Sequence, residues 1–457
     1  MRNLYNLLFT FFFWLSSPYY FLKMWRRGNW REGFGERFGN YATRTKHALT
    51  NRNAIWFHAV SVGEVNLCTQ LIRSLQSRVP NLKIVVSTTT STGMEELRKK
   101  LPSHIEKIYY PIDKKRFVYR AVAAIHPEAV VLVEAEIWPN FIWRLKEKGI
   151  PLFLVNARLS ERSYRGYKRF GFLFRPLFEA FTGVGAQSEA DAERLIEIGC
   201  KPEAVRVMGS LKFDAAKIDA RRVLDVPALL SQIGVPAGAQ LIVGGSTHHG
   251  EEATLADLFK RLKPRFPNLF LIIVPRHFER GKEIGRQLAA AGVPFVYRSE
   301  ISDRTRFQPW EKHCLLVNTT GELKFFYEHA TVVFVGKSLT ARGGQSPIEP
   351  AALGKAIVMG PHMQNFAAIT AAFVREGGAI QVQNADQLFN TFSELLNDPG
   401  RRDIMGLQAA RVVKENMGGI ERTVDMIVRQ LDGSELFFKP EPLGISDLKS
   451  QISNPPV

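Results

Sequence analysis

A carboxylate at the start of a helix, beside the end of a strand, can take a proton from an incoming hydroxyl, and Glu64 in HAVSVGEV has that placement. The strand ends at Ser61, Gly63 permits a tight turn, and Glu64 opens a helix whose free N–H groups and dipole favour an anion. An ordinary helix cap has the same pattern, since acids often fill a first turn. In VEAEIWPN, Glu134 and Glu136 close a very apolar strand, and the two-residue repeat of a strand puts both on one face. Their structural alternative is an ion pair with Arg158 of NARLS.

The second half of the chain carries groups suited to holding phosphate. VGGSTHHGEE is a strand, a Gly-containing turn and a helix start, with Ser246 and Thr247 offering hydroxyls and N–H groups. It lacks the Gly-Lys-Ser/Thr ending of a P-loop and the G-x-G-x-x-G of a dinucleotide site. VPRHFER ends another strand with Arg276 and His277, suited to a phosphate or an aromatic base. GGQSPIEPAALG has a flexible Gly343-Gly344, then Gln345 and Ser346 ahead of a helix that Pro347 begins, with Glu349 in its first turn. Each of these also fits a surface ion pair or a well-capped helix. Ser61, Gly63, Glu136, Ser246, Thr247 and, in GSLKFD, Lys212 are candidate substrate or phosphate contacts.

Such segments need a scaffold that gathers strand ends. The runs AIWFHAVS, KIVVSTTT, AVVLVEAEI, PLFLVNARL, FTGVGAQS and VRVMGSL alternate with helical patterns such as EVNLCTQLIRSLQSR, which indicates a parallel sheet covered on both faces. The alternation loosens between Phe213 and Ala239, then restarts with AQLIVGGST, NLFLIIVPR, CLLVNTT, ATVVFVGKS and KAIVMGP. The expected organisation is a domain over residues 30–214, a linker near 215–235, a second domain over 236–431 and a Pro-containing tail over 432–457. Two doubly wound domains facing one cleft would present their ligands at the carboxyl ends of the strands.

Residues 1–24 read as a membrane anchor. The run LYNLLFTFFFWLSSPYYFL is uncharged and long enough to span ~30 Å of hydrocarbon, and the basic residues after it, Lys23, Arg26 and Arg27 among them, place the remainder on the cytoplasmic side. Its many aromatics and Pro18 also suit a helix lying in the interface. Lys and Arg outnumber Asp and Glu by 61 to 44, a formal charge of +17, which favours anionic partners. RSYRGYKRFGFLFRPLF mixes basic and aromatic residues in a way that suits an anionic membrane surface or an acylated, phosphorylated acceptor. No nucleic-acid-binding signature accompanies the charge. Cys68, Cys200 and Cys314 are far apart and form no CxxC pair, so neither a disulfide framework nor a zinc site is indicated, and a reducing cytosolic compartment fits.

Taken in order, WREGFGERFG, HAVSVGEV, EAEIWPN, NARLSERS, GSLKFD, STHHGEE, VPRHFER, TTGELKFFY and GGQSPIEPAALGKAIVMGPHMQNF resemble the 3-deoxy-D-manno-octulosonic acid (Kdo) transferases of lipid A glycosylation, over residues from about 30 to 370. The resemblance implies a GT-B fold, an N-terminal acceptor domain for the lipid A disaccharide precursor (lipid IVA), a C-terminal domain for the donor CMP-Kdo, and inverting transfer with no cofactor and no required metal. It implies that Glu64 is the general base. By the same correspondence Pro275 and Arg276, then Thr320, Gly321 and Glu322, then Ser346, Pro347, Ile348 and Glu349 contact the nucleotide. The chain departs from the family at Thr320, where an apolar residue is usual, at Gln345-Ser346, where His-Asn is usual, and at Lys337, often Gly. A UDP-sugar enzyme of the same fold, or a non-catalytic basic membrane-bound protein, would share much of this pattern.

Overall fold

The computed structural model describes residues 2–26, 31–49, 54–80, 82–134, 136–216 and 224–432. Residues 217–223, within the expected linker, and 433–457, the expected tail, lie outside the described residues, as does Arg27.

The first sheet contains β1 (Ala54–His58), β2 (Lys83–Thr88), β3 (Glu106–Tyr109), β4 (Pro127–Val133), β5 (Leu152–Ala157), β6 (Gly183–Ala186) and β7 (Val205–Val207). Their order is β3-β2-β1-β4-β5-β6-β7, and all pairings are parallel. The second contains β8 (Gln240–Thr247), β9 (Leu269–Pro275), β10 (Phe295–Tyr297), β11 (Cys314–Leu316), β12 (Val332–Val335), β13 (Ala356–Met359) and β14 (Ala379–Gln381). Their order is β10-β11-β9-β8-β12-β13-β14, again parallel throughout. Central strands read as unbroken apolar runs because both faces are buried. In β1 Trp56 packs into one core and Phe57 into the other, and in β9 Phe270 and Leu271 divide in the same way.

The chain forms two compact units, and the changeover falls at Leu211–Lys212. The Leu211 N–H donates to Asn156 Oδ1 at 3.2 Å in the first unit, whereas Phe213 meets Phe373 edge-on in the second, with ring centroids 6.2 Å apart. This precedes the expected linker because Phe213 is recruited to the second core. Lys212 belongs to the second unit, with its ammonium 5.3 Å from the Phe366 ring centroid.

The second unit ends at Met417, which corrects the expected end at 431. Gly418, with φ of 85°, turns the chain after the helix Pro399–Asn416, and the helix Gly419–Asp432 returns to the first unit. There Ile420, Val424, Ile427 and Leu431 enter the core at helical spacing, and Arg78 pairs with Glu421 at 2.6 Å and with Asp425. Amphipathic spacing identifies a buried helix face without saying which core buries it.

The N-terminal run forms one helix, Arg2–Arg26. No helix among the described residues is long and apolar enough to cross a membrane, so the spanning expectation is not met. Asn3, Asn6, Ser16, Ser17, Pro18 and three tyrosines dilute its hydrophobicity. The helix instead exposes a row of apolar side chains, including Leu7, Phe11 and Leu15 at 69, 71 and 72%. Its inner side is tied to the first unit: Tyr5 Oη donates to Asp113 Oδ2 at 2.8 Å, and Asn140 Nδ2 donates to Asn6 Oδ1 at 2.9 Å.

Candidate active site

In an open parallel sheet the ligand crevice lies where the strand order reverses direction. In the first sheet that point is between β1 and β4, and Glu64, Glu134 and Glu136 follow those two strands. Ser61 caps the helix Val62–Arg78, with its Oγ accepting from the Glu64 N–H at 3.2 Å. The Glu64 carboxylate reaches back, accepting from Ser61 Oγ at 2.7 Å and from the Val60 N–H at 2.8 Å. This is a capping box shifted by one residue, so the helix-cap reading holds. It also fixes both carboxyl oxygens at the sheet edge while leaving each a further lone pair for a substrate hydroxyl. Gly63 lies inside the first helical turn, after the extended N-cap Ser61, so it is not the residue that makes the tight turn.

β4 stops at Val133, and Glu134 adopts φ of 64°, so strand alternation does not carry Glu134 and Glu136 to one face. The neighbouring Asn156 is also left-handed, φ 54°, and its Nδ2 donates to Glu134 Oε1 at 3.4 Å. Non-glycine residues in this region each cost roughly 1–3 kcal/mol and cluster where sites are pre-shaped. Glu136 accepts from Trp138 Nε1 at 2.7 Å, and its Oε2 lies 3.9 Å from His58 Nε2. His58, wholly buried, donates through Nδ1 to the Ser87 carbonyl at 3.1 Å, and burial drives its pKa down to about 3, so the ring is neutral. His58 and Trp138 do not stand out in the sequence as site residues. The available signal is one polar residue in the otherwise apolar β1, and one indole following an acidic pair.

Burial pushes the Glu64 carboxyl above the ordinary carboxylate range and the charge of Glu134 adds to it, while the Val60 and Ser61 bonds pull it down. Burial likewise pushes Glu136 up to about 7, with the Trp138 bond opposing and Glu64 and Glu134 adding. A raised carboxyl stays protonated at pH values where an ordinary glutamate is ionised. A reaction needing ionised Glu64 therefore loses rate as pH falls through a value above ~4.3. In a kcat/KM profile the acid limb is expected above the ordinary glutamate value. A limb at or below the ordinary glutamate value would contradict the assignment.

In the second unit the reversal falls between β8 and β12. The segments expected to hold phosphate follow β11, β9, β8 and β12, which are contiguous in the sheet, so their loops lie side by side. Gly336 allows a close approach there, since a Cβ on it would fall 2.4 Å from the Ser246 carbonyl oxygen. Ser246 has φ of 53° and stays partly exposed. Thr247 differs from expectation: its side chain has 0% exposure and its hydroxyl donates to Glu252 Oε1 at 3.0 Å, so it braces the loop. Pro275 ends β9, Arg276 is exposed beyond it, and the Arg276 N–H donates to the Thr247 carbonyl at 3.0 Å. Thr320 and Gly321 are exposed, with Gly321 at φ 83°. The Glu322 carboxylate is engaged by Arg298 at 3.1 Å and by Thr319 at 2.6 Å, so it is held by partners within this unit.

Pro347 caps the short helix Ile348–Ala352 from outside, and Ser346 Oγ accepts from the Ile348 N–H at 3.4 Å. Burial pushes the Glu349 carboxyl up, while Lys324 and Arg276 pull it down, so Arg276 and Glu349 act on one region. Glu251, which the sequence does not distinguish from an ordinary helix-start acid, holds the adjacent loop. Its carboxylate accepts from the backbone N–H groups of His248 and Lys337 at 2.8 Å and of Ser338 and Leu339 at 2.9 Å.

Two parallel α/β units of this topology define a protein of the GT-B type. The solved structure of a putative UDP-N-acetylglucosamine 2-epimerase from Listeria monocytogenes has a similar fold, at 13% identity and a TM-score of 0.57, covering 84% of this chain and 98% of that one. More specifically, the chain belongs to the Kdo transferase family and is a glycosyltransferase. The family model for 3-deoxy-D-manno-octulosonic-acid transferase (kdotransferase) matches residues 32–215. The 3-deoxy-D-manno-octulosonic acid transferase of Haemophilus influenzae is 30% identical over 407 residues, 88% of this chain and 92% of that one. Its counterpart in Bordetella pertussis is 32% identical over 428 residues, 90% of this chain and 96% of that one.

Proposed function

We propose that the protein transfers Kdo from CMP-Kdo to the lipid A disaccharide precursor, with inversion, at the cytoplasmic face of the inner membrane. The observation that carries the reading is Glu64, fixed by three hydrogen bonds at the reversal point of the first sheet with its basicity raised by burial. Glu64 takes the proton of an acceptor hydroxyl as that oxygen bonds to the anomeric carbon of Kdo. The bond from that carbon to CMP breaks, and the phosphate carries the electron pair away. Attack opposite the leaving group inverts the centre in one step. Arg276 and the backbone at Ser346–Ile348 offset the phosphate charge, while the backbone at Thr320 and Gly321 contacts the nucleotide. No metal or cofactor takes part. The apolar row of the N-terminal helix, with the exposed Phe170 and Phe172 of the basic aromatic segment, supports an interfacial attachment to an anionic membrane surface.

Calorimetric titration with nucleotides separates this reading from a UDP-sugar enzyme. CMP should bind the full chain more tightly than UDP, and Arg276→Ala should weaken CMP about tenfold to a hundredfold. A preference for UDP would favour the other donor class. Binding that responds to salt alone would favour a non-catalytic basic protein.

A further inference from the structure

A cavity of about 600 Å³ lies within the first unit, between the N-terminal helix and the carboxyl edge of the sheet. The helix contributes Phe13, Ser17 and Phe21, and Phe34, Phe38 and Trp138 face them. That volume is in the ~300–1,000 Å³ range of small-molecule sites. Phe12 and Tyr20 line it while remaining 58 and 56% exposed, so the cavity is continuous with the exposed apolar face of the helix.

Three further observations say what fits there. The wall adjoins the catalytic carboxylates: Thr90, in the lining, donates through Oγ1 to the Val60 carbonyl at 3.0 Å, and the Val60 N–H holds Glu64. Trp138, also in the lining, donates to Glu136. Tyr110 lines the cavity at 3% exposure, stacked on His58 with ring centroids 3.8 Å apart, and its hydroxyl has no partner among the described residues. A buried donor left unmatched costs free energy until an acceptor reaches it. Cations also border the site. Lys23 and Arg37 line it, and the Lys114 ammonium lies 5.8 Å from both the Phe13 and Trp14 ring centroids.

We infer that this cavity holds an acyl chain of the lipid-linked acceptor. The inference rests on the transfer reaction proposed above and specifies how its substrate is held. The chain lies against the helix, an acyl carbonyl accepts from Tyr110, and the sugar headgroup extends past Thr90 to Glu64. Acceptor phosphates face Lys23 and Lys114. The N-terminal helix is then a wall of the acceptor site as well as a membrane contact.

Ser17→Trp places an indole in the cavity without touching the catalytic residues. The full chain in anionic nanodiscs is assayed with the acylated disaccharide bisphosphate and with its deacylated form. Excluding two or three methylenes should raise KM for the acylated acceptor about 30-fold, with kcat, CMP binding and the deacylated reaction unchanged. An equal effect on both acceptors, or on neither, overturns the inference. No transfer by the unaltered protein to either acceptor overturns the transferase reading itself. A second measurement is independent of how the variant folds: an acceptor carrying a photoreactive acyl terminus should label the N-terminal helix or residues 109–113, in competition with unlabelled acceptor. Labelling displaced by phosphatidylglycerol but not by acceptor would assign the cavity to a bilayer lipid and reject the inference.

Discussion

Glu64→Gln is expected to reduce turnover by ~10²–10⁴-fold, the usual contribution of a general base, while CMP binding stays within about twofold of the unaltered protein. The prediction is selective because of how Glu64 is held. The amide oxygen of glutamine can still accept one of the two bonds that Ser61 Oγ and the Val60 N–H now give to the carboxylate, and Ser61 still caps Glu64's own N–H. The helix start therefore survives, and loss of the cap alone would cost only about 1 kcal/mol. Pre-steady-state transfer measured beside a thermal melt separates the two roles. A large loss of rate with an unchanged melt identifies the base, whereas a small loss of rate with a lowered melt would leave Glu64 as a helix cap only.

The second large effect is structural. Glu251→Ala removes a carboxylate with 0% exposure that accepts from four backbone N–H groups. Those donors sit in the loops after β8 and β12, on the two sides of the reversal point of the second sheet. Each buried donor left unmatched costs about 1–3 kcal/mol, and water entering the site recovers part of that, so the net loss is expected to be about 3–5 kcal/mol. Glu251→Gln keeps one acceptor oxygen and turns an N–H toward the others, so it should fall between. Chemical denaturation should show the second unit weakened and CMP binding lost with it. A loss below about 1 kcal/mol for Glu251→Ala would mean that the loops hold their shape without this carboxylate.

Much of this architecture is legible in the sequence, for a physical reason. Strands such as VVLV in β4 and LFLIIV in β9 are buried on both faces, so every position is apolar, and such an unbroken run separates itself from the amphipathic helices around it. Edge strands lack that signature. EKIY, FVY and AIQ, forming β3, β10 and β14, are short and partly exposed, and none stands out from its surroundings. The return of the helix Gly419–Asp432 to the first unit depends on which core receives Ile420 and Val424, which local periodicity does not encode. The reach of the site has similar limits. Glu64 and Arg276 are visible because they follow recognisable strands. Thr247, seen from the sequence as a hydroxyl in a Gly-containing turn, proves to be turned inward to Glu252. Glu251 beside it reads as an ordinary first-turn acid, yet it accepts bonds from residues more than eighty positions away. Contacts over that separation are made by the folded sheet and leave no mark in the local pattern.

The N-terminal segment shows the difference between length and hydrophobicity. The helix Arg2–Arg26 has the length to span a bilayer, but its serines, asparagines and tyrosines withhold the hydrophobicity, and its aromatic side chains are those that favour an interface. Its inner side lines the cavity whose wall also includes Thr90 and Trp138, which donate to the Val60 carbonyl and to Glu136; in the function proposed above, that arrangement links membrane attachment to acceptor binding.

The most direct measurement is the mass of the product. The purified full chain is incubated with the acylated lipid A precursor and CMP-Kdo, and the lipid fraction is examined by mass spectrometry. The account predicts a lipid heavier by one or more whole Kdo residues, with one CMP released for each, and none formed at comparable rate by Glu64→Gln. An unchanged precursor mass with CMP-Kdo, or a product formed from a UDP-sugar instead, would contradict it.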